Sequence, residues 1–137
     1  MTKQLVISSS LPAVEQFQRQ LEQTLQSAGF SEDLVHDLSL VCEEVLVNII
    51  HYGYPSEEDP QREIRVDLCL EVPGTVRLEI RDDAIAFNPL TAPDRDPEDE
   101  RLGGWGIPML KSLTDHVEYA REGDHNVLRI ERSERDS

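Results

Sequence analysis

Glu44 and Asn48 stand four residues apart in an otherwise apolar segment. Four residues is one turn of an α-helix, so both side chains project from one face. Burying a carboxylate or an amide without a partner costs on the order of 1–3 kcal/mol each. Two accounts of the pair are open. Either they hydrogen-bond neighbouring backbone or lie on a solvated edge, or Asn48 offers its carbonyl oxygen to Mg²⁺ while Glu44 orients or deprotonates a nucleophile. Further on, Arg81-Asp82-Asp83 closes a run of alternating apolar residues. Two acids at a strand end fit an ordinary turn; an aspartate fixed at the floor of a cleft can instead accept a hydrogen bond from a nucleobase amine. Gly103-Gly104-Trp105-Gly106 then opens a helical pattern. Glycines there either permit tight packing or let backbone N–H groups and a helix N-terminus approach phosphate oxygens. No Gly-Lys-Ser/Thr follows, so this is not a Walker A loop, and it is not a GxGxxG turn after a strand.

These residues need elements to position them. Lys3 to Ser8 predicts a short strand with Leu5 and Ile7 on one face and Val6 on the other. Ser8-Ser9-Ser10 offers an N-cap and Pro12 suits a helix start, Val14, Phe17, Leu21 and Leu25 form an amphipathic stripe, and Gly29 ends it. Ser31, Glu32 and Asp33 open a second helix, whose Leu34, Leu38, Val41, Val45 and Ile49 demand burial on most sides. After a loop from Gly53 to Gln61, Ile64 to Leu70 and Val76 to Ile80 alternate around a Pro73-Gly74 turn, as in a hairpin. Asn88 to Arg101 is a long Pro- and acid-rich loop of the kind that forms functional lids. A helix with Ile107, Leu110 and Leu113 follows, and a hairpin of Val117–Ala120 and Val127–Ile130 closes the chain. The order β-α-α-β-β-lid-α-β-β predicts an α+β fold, a two-layer sandwich whose mostly antiparallel sheet is covered by helices on one face. The 137 residues suggest a single domain.

With 28 acidic and 13 basic residues, the formal net charge is −15. Such a field repels nucleic acid and anionic membrane, so neither is expected as a direct partner. No stretch approaches the roughly 20 apolar residues of a membrane span, and Met1 to Leu5 lacks a secretory pattern. Cys42 and Cys69 lack metal-type spacing. A disulfide between them is one reading; two buried free thiols in a reducing cytosol is the expectation.

The order of these features resembles the histidine-kinase-like ATPase (GHKL) superfamily, and within it the small bacterial anti-sigma-factor serine kinases. Glu43-Glu44-Val45-Leu46-Val47-Asn48-Ile49-Ile50-His51-Tyr52-Gly53-Tyr54 is similar to the family's N-box. Asp82-Asp83-Ala84-Ile85-Ala86-Phe87-Asn88-Pro89 is similar to its first glycine box, and Leu102-Gly103-Gly104-Trp105-Gly106-Ile107-Pro108-Met109-Leu110 to its second. Asp115 to Tyr119 and Asn126 to Ile130 also match the branch. The resemblance implies one ATP-binding domain over residues 1–137, with an ATP lid at about 88–102. It implies Glu44 as general base, Asn48 as the Mg²⁺ ligand, Asp82 as the adenine-reading acid, and Gly104 and Gly106 bordering the phosphates of ATP. It further implies a homodimer that binds a sigma factor or equivalent regulator and phosphorylates a STAS-type anti-sigma-factor antagonist.

The sequence departs from that pattern in two places. Ala84 and Ala86 stand where the first glycine box carries glycines, and Tyr52 stands where the family often has histidine, with His51 one step earlier. The intact set Glu44, Asn48, Asp82, Gly104 and Gly106 favours a serine kinase. The two alanines favour the alternative, a nucleotide-binding or nucleotide-blind protein-interaction switch of the same fold.

Overall fold

The computed structural model describes residues 2–53, 63–84 and 106–135. The expected ATP lid, Gly104 and Ala86 lie outside them. The elements run β1 (Thr2–Ser8), α1 (Leu11–Ser27), α2 (Glu32–Asn48), a π-helical turn (Ile49–Gly53), β2 (Glu63–Cys69), β3 (Thr75–Asp82), α3 (Gly106–Leu113), β4 (His116–Glu122) and β5 (His125–Ser133). Among the described residues the strands form one antiparallel sheet in the order β1-β2-β3-β5-β4.

Period-two patterning puts Ile64, Val66, Leu68, Val76, Leu78, Ile80, Leu128 and Ile130 on the sheet's inner face, all buried. Val14, Phe17, Leu21 and Leu25 of α1 join them in one core with Leu34, Leu38, Val41 and Val45 of α2. The two helices also share a polar seam. Ser39 Oγ donates to Glu22 Oε1 at 2.8 Å, and Gln18 Nε2 donates to the Ser39 carbonyl at 3.1 Å. The outer face of the sheet carries charge: Arg129 meets Glu79, Glu118 and Glu122, and Arg77 meets Glu131. No helix among the described residues is long and apolar enough to cross a membrane.

Helix ends are fixed by side chains far apart in sequence as well as near. Ser10 Oγ accepts the Ala13 N–H, with Pro12 in the first turn. At the other end of α1, Gly29 adopts φ +89°. Its N–H bonds Gln26 O while the Phe30 N–H bonds Leu25 O, a Schellman termination that needs the left-handed residue glycine supplies. Ser31 caps α2 by accepting from Leu34 N. Where a capping box would place an acid three residues on, the chain has Leu34, and Glu134 from its far end takes over. Glu134 accepts the Ser31 N–H at 2.8 Å and the Ser31 hydroxyl at 2.7 Å.

Among the described residues the fold agrees with the α+β expectation, helix for helix and strand for strand. Two details differ. α2 runs on into a π-turn, for which the apolar stripe gives no sign. Cys42 is fully buried as expected, but Cys69 is only half-buried, because it ends β2 on the charged outer face.

Candidate nucleotide site

Glu44 and Asn48 are each 3% exposed, on the last turns of α2, among side chains that are otherwise apolar. The Asn48 amide nitrogen faces Glu44 Oε1 at 3.5 Å, the outer limit of a hydrogen bond. The neighbouring acid, Glu43, has a different environment: it is half-buried and accepts from Gln18 Nε2 at 3.4 Å, in the seam with α1. Helical periodicity thus separates two adjacent glutamates, one tied to α1 and one set with Asn48. The π-turn begins directly after Asn48, and the Ile49 N–H is shared between Leu46 O and Val45 O. Such an irregular turn re-aims the chain at the helix end, and insertions of this type are frequent at functional positions. His51 lies within it and is exposed.

Asp82 is the last residue of β3 and is buried. Its Oδ1 accepts the Ala84 N–H at 2.9 Å and the Asn126 amide at 2.9 Å. Asn126 Oδ1 in turn accepts the Tyr119 hydroxyl at 2.6 Å and Arg121 Nη1 at 3.1 Å. Arg121 Nη1 also donates to the Ala84 carbonyl at 2.9 Å. Burial pushes the Asp82 carboxyl above the usual aspartate range. The bonds from Asn126 and Ala84 pull the other way without cancelling it, Asp83 beside it adds to the rise, and Arg121 opposes it. At this end of the sheet a cleft of about 420 Å³ is lined by Asp82 together with Glu63, Arg65, Arg81, Asp83 and His125, and it opens on the outer face, opposite the Asp82–Asn126 contact.

The structure therefore pairs Glu44 with Asn48, and Asp82 with Asn126. Gly106 is the first residue of α3, a helix that packs against α2. Gly104 and Trp105 lie outside the described residues, as does Arg101, and Lys111 is exposed on α3. Asn126, Arg121 and Tyr119 carry no role in the sequence reading. The available signal is that Asn126 shares the period-two face of Leu128 and Ile130, so a polar side chain points inward at the head of an apolar strand. No cluster of three or more His, Cys, Asp or Glu side chains suited to a metal occurs among the described residues. The Asn48 amide oxygen fits the oxygen chemistry of Mg²⁺, which takes few protein ligands and fills its octahedron with water and phosphate.

Comparison with known proteins bears on the fold and the family. The chain is similar to the serine-protein kinase RsbW of Listeria monocytogenes, 27% identical over 110 residues that cover 74% of this chain and 68% of the relative. The RsbW kinase of Listeria innocua gives 27% over 112 residues with the same shares. Among solved structures, that of the RsbU and RsbW domains of Rv1364c from Mycobacterium tuberculosis superposes with a TM-score of 0.67 at 15% identity, which speaks to the fold. It covers 97% of this chain, which spans about a third (32%) of that one. Residues 7–132 match the family model described as the histidine kinase-like ATPase domain. A buried acid–amide pair at the end of a core helix, a buried aspartate closing the central strand and a family match from Ile7 to Arg132 converge: the chain belongs to the histidine kinase-like ATPase domain family.

Proposed function

We propose that this chain is an ATP- and Mg²⁺-dependent protein serine kinase that works by partner switching. In this reading it is a single ATP-binding domain, acts in the cytoplasm as a homodimer, binds a sigma factor or an equivalent regulator, and phosphorylates a serine of a STAS-type antagonist. The observation that carries the proposal is the buried Glu44–Asn48 pair at the end of α2. The similarity to RsbW serine-protein kinases supports it independently.

The roles follow from the chemistry of each group. Asn48 would offer its amide oxygen to the cation, since its amide nitrogen is turned to Glu44. Bound Mg²⁺ would neutralise phosphate charge and hold the phosphates in line for transfer. Glu44 would take the proton of the incoming serine hydroxyl as its oxygen bonds the γ-phosphorus, while the bond to the bridging oxygen of ADP breaks. Asp82 would accept from the amine of adenine. Gly104 and Gly106 would border the phosphates, and residues 88–102 would close over them.

Calorimetric titration of Mg-ATP into the wild type and Asn48→Ala tests the site. Micromolar, Mg²⁺-dependent binding that the variant loses supports the reading. No binding at millimolar nucleotide overturns it and leaves a nucleotide-blind interaction switch, the outcome that Ala84 and Ala86 would explain. For the kinase step, Glu44→Gln should keep ATP affinity and lose about 10²- to 10⁴-fold in phosphate transfer. Transfer at the wild-type rate would remove Glu44 as the base.

A further inference from the structure

Asp82, Asn126 and Arg121 stand directly opposite one another on three adjacent strands, β3, β5 and β4. Opposed residues of antiparallel strands share a face, so all three belong to the inner side of the sheet. The row begins apolar, with Ile7 opposite Ile64 and Ile64 opposite Asp82, and turns polar from Asp82 onward.

Arg121 fixes the chemistry of the polar end. A guanidinium only donates. The Asn126 atom 3.1 Å from Arg121 Nη1 must therefore be the carbonyl oxygen, and the same atom takes the Tyr119 hydroxyl at 2.6 Å. The amide nitrogen is then obliged to face Asp82, where it donates to Oδ1 at 2.9 Å. Oδ1 takes its second bond from the Ala84 N–H. Among the described residues, both hydrogen bonds of Asp82 fall on this one oxygen. The two bonds fix the plane of the carboxylate, which leaves its other oxygen, Oδ2, as the one a ligand could meet. Arg121 also grips the Ala84 carbonyl, so one cation steadies the amide and the backbone just beyond β3.

We propose that Asn126, oriented by Arg121 and Tyr119, is a positioning residue that fixes the orientation in which the Asp82 carboxylate meets the purine and thereby sets selection of 6-amino over 6-oxo purine nucleotides. The proposal rests on the reading of Asp82 as nucleobase acceptor. A carboxylate oxygen attracts a 6-amino group and repels a 6-oxo oxygen. Held by two bonds, it cannot turn aside to relieve the repulsion, and that rigidity is what makes the discrimination large.

The test is calorimetric titration of Mg-ATP and Mg-ITP into the full chain, as wild type, Asn126→Leu, Arg121→Leu, Arg121→Lys and Tyr119→Phe. The wild type should prefer ATP. The ATP/ITP ratio should fall about tenfold in Asn126→Leu, the worth of one charge-assisted hydrogen bond. It should fall similarly in Arg121→Leu and recover in Arg121→Lys, which keeps a donor-only cation. A merely structural role would weaken both nucleotides together and leave the ratio alone. Circular dichroism and thermal melts establish that each variant is folded. If Asn126→Leu does not fold, Tyr119→Phe, which loses one hydroxyl, carries the same comparison with a smaller fall. An unchanged ratio in folded variants overturns the positioning role and leaves Asp82 as base reader. A wild type that binds ATP and ITP equally removes Asp82 as reader, and this inference with it, but keeps ATP binding. Binding of neither nucleotide removes both readings.

Discussion

Arg132 Nη2 lies 2.8 Å from Asp37 Oδ2, so a guanidinium near the end of β5 is neutralised by a carboxylate in the second turn of α2. Arg132 is 2% exposed, and its Nη1 also reaches the Ser133 carbonyl. Its Nε has no partner among the described residues. The ion pair thus pins the helix that carries Glu44 to the sheet that carries Asn126, at the opposite end of both elements from those residues.

Removing one member should cost more than removing both. Asp37→Ala leaves a buried cation unpaired and should lose about 3–5 kcal/mol, whereas Asp37→Leu combined with Arg132→Met should lose much less. Urea titrations of the three proteins decide it. Equal losses in the single and double variants would show that the pair is screened by water after all.

The Ser31–Glu134 clamp should be visible in the pH dependence of stability. Bonds from the Ser31 hydroxyl and N–H hold the Glu134 carboxyl below the usual glutamate range. A depressed folded pKa contributes stability that is complete above the unfolded glutamate pKa and is lost as pH falls through the folded value. Glu134→Gln should therefore be less stable than wild type at pH 7, and the gap should close in acid. Ser31→Ala should lose about 1 kcal/mol as a lost N-cap. The double variant should lose less than the two changes summed, because the hydroxyl–carboxylate bond is removed by both. Fully additive losses would dissolve the clamp.

Asp82 has the opposite sign. Burial raises its folded pKa, so the folded state holds the proton more tightly than the unfolded chain does. That stabilisation is present below the unfolded pKa and disappears as pH rises through the folded one. At neutral pH the ionised carboxylate works against folding. Asp82→Asn keeps an Oδ1 acceptor for Ala84 and Asn126 while removing the charge. It should melt at or above the wild-type temperature at pH 7 and lose about tenfold or more in ATP affinity. A marked drop in melting temperature with ATP affinity intact would make Asp82 a structural acid only.

The two thiols should separate cleanly. Burial pushes the Cys42 thiol up to about 12, so almost no thiolate exists to react. Cys69 is half-buried at the end of β2. With Ellman's reagent at pH 8, one thiol should react in the native protein and the second only in denaturant. Equal rates for both would contradict the packing around Cys42.

What the sequence makes legible is what burial imposes on one face at a fixed period. Val14, Phe17, Leu21 and Leu25, or Val76, Leu78 and Ile80, reveal a helix and a strand because each must turn the same way. Ser10, Ser31 and Gly29 mark helix ends because their chemistry is local. Relations across the chain leave no such trace. Nothing in the spacing of β3 says that it pairs with β5, that Ser31 meets a glutamate 103 residues away, or that Arg132 finds Asp37. The site divides along the same line. Glu44 and Asn48 are visible as polar interruptions one turn apart, and Asp82 as an acid at a strand end. Asn126 stands just ahead of the expected strand Val127–Ile130, and its place beside Asp82 emerges only when β5 is laid against β3. The π-turn after Asn48 stays hidden because an added residue in a helical turn alters backbone bonding and not the apolar pattern.

The polar row also bears on how the sheet assembles. β3 and β5 are both apolar on alternate residues, so sliding one along the other by two positions would keep every apolar side chain inward. One such slip would set Asp82 against Leu128 and Leu78 against Arg132; the other would set Asn126 against Ile80. In each case a buried carboxylate or amide would lose the partner it has in the native pairing of Asp82 with Asn126. Asp82 and Asn126 thus act during folding as a key that only one alignment of the central strands can turn.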